Sequence, residues 1–233
     1  MLLLFEKLVL ILVEAALETV PPEIQNHPAV INDARRRGKQ PSEILLDRSY
    51  HHHAMKRLPD NAKRGRPDIV HFCLLEALGS PLNIGNRLET YVATCSGHII
   101  YVNPAVRLPR VYERFKGVFE KLFAEERIVS DTGLELLRLE QISLKKFIQR
   151  VNVSKTILMS EKGLQISGRL FGSDILTVPR PCVLVGCFPH GDFRDETKSL
   201  ADVEASIYPG PLEAWTVVSR VLCFVEQSLT EKP

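Results

Sequence analysis

VLVGCFPHGDF, residues 183–193, opens as a run of apolar residues and breaks into a turn carrying two glycines five positions apart, Gly186 and Gly191. The run over 182–187 is continuous rather than alternating, which predicts a strand buried on both faces. Glycine tolerates positive φ and lets a ligand approach the backbone closely. Ligands of open α/β sheets bind outside the carboxyl ends of the strands. A small cofactor over Gly186 and Gly191 is therefore expected, against the plainer reading of a glycine turn. The spacing matches neither a dinucleotide fingerprint nor a Walker loop, so neither a nicotinamide cofactor nor ATP is indicated.

Working outward, strands and helices alternate. Residues 8–17 (LVLILVEAAL) read as a first strand stopped by Pro21 and Pro22, and residues 26–38 as a helix with Arg35, Arg36 and Arg37 in its last turn and Gly38 as its stop. A short strand is expected at 43–47, a helix at 51–58 and a polar loop at 60–66. Pro67 suits the first turn of a helix over 68–78. Residues 91–95 and 98–102 flank Ser96-Gly97, a hairpin signal. A long helix is predicted over 104–125, a strand at 134–139, a helix at 143–151, a strand at 155–159, a loop at 206–212 and a last helix over 213–228. This pattern predicts an α/β fold with a mostly parallel sheet and a hairpin-plus-helix insertion. No linker divides the chain, so one domain over 1–233 is expected, with the insertion around 85–127.

The chain has 233 residues, 45% hydrophobic and 25% charged. That length buries a core without disulfides or metals and excludes disordered, collagen-like and disulfide-scaffold classes. The five cysteines are odd in number and include no C-x-x-C pair, so a reducing compartment fits better than a disulfide framework or a zinc ribbon. No metal site is expected: consecutive residues His51, His52 and His53 point in different directions on a helix. Glu6, Lys7 and Glu14 interrupt the apolar start, which leaves no membrane-spanning length.

The net charge of +2 hides a polarised chain: residues 35–66 hold ten basic and three acidic side chains, +7 in all, and the remainder is −5. Such a patch suits a polyanion through counterion release, against the alternative of a solvated, ion-paired surface. Within KRGRPDIVH (63–71), Arg66 and Asp68 stand either side of Pro67; a carboxylate there can brace the guanidinium and aim its free donors at a phosphate or base. In NPAVRLPRVYERFKG (103–117), Arg107, Arg110 and Arg114 share one face if the segment is helical, a stripe suited to a nucleic-acid backbone, unless acids such as Glu113 pair with it. The helix after ASIYPGPLEAWTVVSR (205–220) is apolar enough to be core or to face a second subunit. Cys187 lies close to His190 in sequence, but spacing alone does not make a nucleophilic dyad.

Taken together and in order, LLDRSYHHHAMKRLPDNAKRGRPDIVH, VGCFPHGDF and ASIYPGPLEAWTVVSR resemble the small-subunit rRNA pseudouridine methyltransferases of ribosome biogenesis, of the SPOUT or α/β-knot class, in their archaeal form. The resemblance covers essentially the whole chain. It implies a C-terminal trefoil knot, a homodimer, a cytoplasmic enzyme (nucleolar in a eukaryote), and possible contact with other ribosome assembly factors. S-adenosyl-L-methionine would sit against Gly186, Gly191 and the loop of Ala205, Ser206, Ile207, Tyr208, Pro209 and Leu212, with Thr177 as a further contact. Arg66, oriented by Asp68, would position the substrate, and Arg66, Arg107, Arg110 and Arg114 would bind rRNA. The rival expectations are a non-catalytic rRNA-binding assembly factor and a methyltransferase of the same class acting on tRNA.

Overall fold

The computed structural model describes residues 4–230; residues 1–3 and 231–233, at the two ends of the expected single domain, lie outside them. At the centre stands β1 (Leu8–Ala15), every residue of it buried. Leu8, Leu10 and Leu12 face one side of the sheet, and Val9, Ile11 and Val13 the other, as strand geometry dictates. Both faces are covered, which is why the sequence runs apolar without alternation. Burying each such side chain contributes about 1.5–3 kcal/mol.

Around β1 lie β2 (Leu88–Thr94), β3 (His98–Val102), β4 (Arg127–Val129), β5 (Glu135–Gln141), β6 (Lys155–Gln165), β7 (Pro181–Gly186) and β8 (Val203–Ser206). They form one eight-stranded sheet among the described residues, in the order β4-β5-β3-β2-β1-β7-β6-β8. Pairings from β2 through β8 by way of β1 are parallel. Those of β3 with β2 and β5, and of β4 with β5, are antiparallel. The helices are α1 (Pro28–Arg36), α2 (Arg48–Met55), α3 (Pro67–Gly79), α4 (Pro81–Ile84), α5 (Tyr112–Glu125), α6 (Leu144–Val151), α7 (Gly168–Ile175), α8 (Asp195–Lys198) and α9 (Ala214–Thr230). α3, α5, α7 and α9 pack on one face, and Phe147 of α6 fills the other. No helix of the described residues is long and apolar enough to cross a membrane.

Several expectations need correction. Residues 43–47 form no strand: Leu45 makes one bridge to Thr19, and Ile44 and Leu46 are buried in a satellite core beneath α1 and α2. A short apolar run reports burial and cannot by itself tell strand from loop. The expected helix over 104–125 begins only at Tyr112, because Pro109 lacks the N–H a helix interior needs. The first strand ends at Ala15, where Glu14 takes φ 49° and the register against β2 shifts. β6 runs on to Gln165, six residues past its expected end, and α7 and β8 went unforeseen.

Candidate functional site

The carboxyl ends of β6, β7 and β8 converge on a cleft of about 630 Å³. Met159, Ser160 and Glu161 from β6, Val185 and Gly186 from β7, and Ala205 and Ser206 from β8 form its floor. Its rim comes from the loop carrying Phe188, His190 and Gly191 and from the loop carrying Ile207, Tyr208, Gly210 and Leu212. Gly186 is obligatory: a Cβ there would lie 2.8 Å from the Phe193 ring and 2.9 Å from Phe188. Gly191 has φ +101°, a conformation L side chains rarely adopt.

The floor is held by a close backbone approach. Gly163 lets β6 bulge against β8, where an added Cβ would stand 2.6 Å from Ala205 N. Ser206 then locks the second loop: its hydroxyl donates to the Tyr208 carbonyl (2.7 Å) and accepts from Gln165 Nε2 (3.2 Å). Asp192 fixes the first loop between Lys162 (2.7 Å) and Lys198 (2.9 Å), whose ammonium groups hold its carboxyl well below the usual range.

Arg66 and Ile69 close the cleft from the far wall. Arg66 immediately precedes Pro67, the first residue of α3, and its N–H donates to the Ala16 carbonyl (3.2 Å), so its backbone is tied to the end of β1. Asp68 accepts from Arg66 Nε (2.8 Å) and Nη2 (2.7 Å), the bidentate brace expected from the sequence. Those bonds raise the guanidinium further above its ordinary value. The outer guanidinium edge remains available for an anionic or carbonyl acceptor.

The arginine stripe is built differently from the expectation. Only Arg114 lies on α5; Arg107 and Arg110 lie in the extended approach to it. There Val106 and Leu108 are buried while Arg107 between them is exposed, a period of two rather than 3.6. All three arginines are exposed nonetheless, and Glu113, the acid nearest in sequence, pairs with Lys116 (2.9 Å) instead. The approach is anchored by His71, whose Nε2–H donates to the Pro109 carbonyl (2.7 Å), and by Asp47. Asp47 caps α2 through Ser49 N (3.0 Å) and accepts from Tyr112 Oη (2.9 Å) and the fully buried Lys116 Nζ (3.0 Å). Burial alone would raise the Asp47 carboxyl; Lys116 and these hydrogen bonds outweigh it and hold the group below its ordinary value.

The structure thus brings Gly186, Gly191, Ala205, Ser206, Ile207, Tyr208, Leu212 and Arg66 onto one cleft, with Pro209 between two lining residues. It does not bring Thr177 there. Thr177 follows α7 at the opposite, amino-terminal end of β7, where its hydroxyl donates to the Asp174 carbonyl (2.6 Å). Cys187 is no nucleophile either: burial holds its thiol well above the usual range, and it faces Cys73 beneath the sheet's helices. Met159, Ser160 and Glu161 were missed; their only signal was Gly163, a glycine inside a strand pattern.

A parallel sheet whose last strands end in glycine turns around a ligand-sized cleft, with a braced arginine opposite, is the architecture of an α/β enzyme with a small-ligand site. The EMG1/NEP1 methyltransferase family model matches residues 10–226, and the chain belongs to that family. It is 47% identical over 220 residues to the ribosomal RNA small subunit methyltransferase Nep1 of Thermococcus kodakarensis, covering 94% of this chain and 98% of that one. With Nep1 of Pyrococcus furiosus the identity is 44% over 221 residues, covering 95% and 97%. The crystal structure of Archaeoglobus fulgidus Nep1 bound to S-adenosylhomocysteine superposes with a TM-score of 0.85 at 41% identity, covering 97% of this chain and all of that one.

Proposed function

We propose that this protein transfers a methyl group from S-adenosyl-L-methionine to nitrogen 1 of a pseudouridine in small-subunit rRNA. One observation carries the reading: the glycine turns of β7 and the braced Arg66 are walls of the same cleft. The residues present fit the cofactor. Met159, Val185, Ile207 and Leu212 offer apolar surface for a flat base, the turns of Gly186 and Gly191 line the opening, and Glu161 and Glu213 suit a cationic sulfonium. When bound, the cofactor supplies an electrophilic methyl group.

The chain's residues supply position and field. Pseudouridine is joined through carbon, so ring nitrogen 1 carries a hydrogen; as the nitrogen takes on anionic character and accepts the methyl group, that proton passes to solvent through the open cleft. Arg66 holds the flipped nucleoside in line and favours that charge. Asp68 is committed to Arg66 by two hydrogen bonds and acts as its orienter, not as a base. Arg107, Arg110 and Arg114 bind the rRNA backbone from the 85–127 region.

The assembly we infer is a homodimer in the cytoplasm, joined through α3 and α9. Phe72, exposed on α3, lies against Trp215 of α9 with ring centroids 5.2 Å apart, an apolar patch next to the cleft. A trefoil threading of the chain around β7, β6 and β8 would hold the two cofactor loops together without a disulfide.

Labelled cofactor and matched rRNA hairpins test the reaction. Methyl incorporation is expected with pseudouridine at the target and not with uridine. Equal incorporation in both would remove the base-specific claim; tight RNA binding without product would favour an assembly factor, and methylation of tRNA a different substrate class.

A further inference from the structure

The cleft has two loops on its walls, and one buried carboxylate joins them. Glu14 sits at the end of β1, only 7% exposed, with φ 49°. A non-glycine residue in the left-handed region is costly and persists where its surroundings impose it, characteristically near a site. The kink turns the side chain out of the alternation of β1 and shifts the register against β2. Its Oε1 accepts from the backbone N–H of Arg194 (2.7 Å), at the end of the loop that carries Gly186 and Gly191. Its Oε2 accepts from Lys63 Nζ (2.7 Å), in the loop that carries Arg66.

Further contacts run the same way. The Lys63 chain lies over Gly191, its Cε 3.1 Å from where a Cβ would be, and its ammonium stands 4.4 Å from the centre of the Phe188 ring. Arg194 Nη2 reaches Asp60 Oδ2 at 3.6 Å. On the other side, Glu18 grips Arg64 through two bonds of 2.7 Å, so that the chain from Lys63 to Arg66 is held by acids at both Lys63 and Arg64.

We propose that Glu14 is a positioning residue that couples the two halves of the site: by clamping Lys63 to the cofactor loop, it makes cofactor occupancy and RNA binding mutually favourable. The inference rests on the methyltransfer reading above and adds a linkage to it. A ligand that settles the Gly186–Gly191 turn fixes the backbone at Arg194 and the Lys63 chain over Gly191, and through them the loop ending at Arg66. Linkage makes the effect reciprocal. Glu14 touches neither partner of the reaction and needs no role in chemistry.

The test is calorimetric titration of S-adenosylhomocysteine into the full chain, alone and saturated with a pseudouridine-containing rRNA hairpin. In the wild type the hairpin should tighten binding about tenfold, a typical coupling. Glu14→Gln keeps an acceptor for Arg194 N–H but loses the charge facing Lys63, and Lys63→Met removes the other partner. Each should reduce the ratio to within about twofold of unity, and the double variant should go no further, because both cut one link. Lys63→Met is half-buried and carries the test alone if Glu14→Gln does not fold. A wild-type ratio near one, or a ratio retained in Lys63→Met, overturns the inference while leaving methyl transfer intact. No S-adenosylhomocysteine binding to the wild type would instead overturn the underlying reading, and this inference with it.

Discussion

The two walls of the cleft are made in different ways. The cofactor wall is a product of backbone: parallel strands set its depth, and Gly163, Gly186 and Gly191 set its shape by having no side chain. The substrate wall is set by ion pairs: Arg66, which lines it, is braced by Asp68, and the segment that carries Arg66 is held through Arg64 with Glu18 and Lys63 with Glu14. A wall made by exclusion of side chains responds first to volume. A wall made by paired charges responds to charge, salt and pH, and tolerates changes of volume on its outer side.

The largest effect should follow from adding volume to the first wall. Gly186→Val would drive carbon into two phenylalanine rings, and S-adenosylhomocysteine affinity should fall by more than a hundredfold, measured by calorimetry on a variant whose circular dichroism is unchanged. Retained affinity would put the pocket elsewhere. Next comes charge removal from the second wall. Arg66→Ala should lower kcat about a hundredfold while cofactor affinity stays within twofold, since only donors to the developing anion are lost. A matching loss of cofactor affinity would show that the walls are not separable in this way.

A smaller effect is expected from the exposed stripe. Arg110→Ala should weaken rRNA affinity a few-fold and reduce the salt slope by about 1, the signature of one lost phosphate contact. An unchanged slope would take Arg110 off the RNA surface. The smallest effect is on stability with pH. Burial holds the His51 and His71 imidazoles below their ordinary value of 6.5. In the window just under 6.5 the unfolded chain therefore binds more protons than the folded one, so stability is full above that value and is lost as pH falls through it. A thermal midpoint lower at pH 5.5 than at pH 7.5 is expected, and a flat profile would argue that these rings charge without resistance.

The same contrast explains what could be read from the chain beforehand. β1, β7, the β2–β3 hairpin and the two glycine loops were legible because continuous apolar runs and glycine spacing are local signals. The Arg66–Asp68 brace was legible because its partners are two residues apart. Ser160, Glu161 and the extension of β6 were not: the strand pattern ends at Met159, and it is the pairing of Leu164 and Gln165 with Ala205 and Ser206, about 40 residues on, across a bulge, that carries β6 further. The spacing of Arg107 and Arg110 fits a helix, but Pro109 between them bars one, and α5 starts only at Tyr112. Thr177 lies in a stretch with no local signal, just ahead of β7, where its hydroxyl donates to the Asp174 carbonyl. The Glu14 and Glu18 clamps join residues 49 and 46 positions apart, beyond any pattern in the sequence.

The most direct trial of the account is a crystal structure of the protein with S-adenosylhomocysteine and a pseudouridine-bearing rRNA hairpin. The sulfur should lie between Gly186 and Gly191, with ring nitrogen 1 facing it and the Arg66 guanidinium on the same nucleotide. A cofactor bound away from those glycines, or a target nucleotide held out of reach of Arg66, would contradict it.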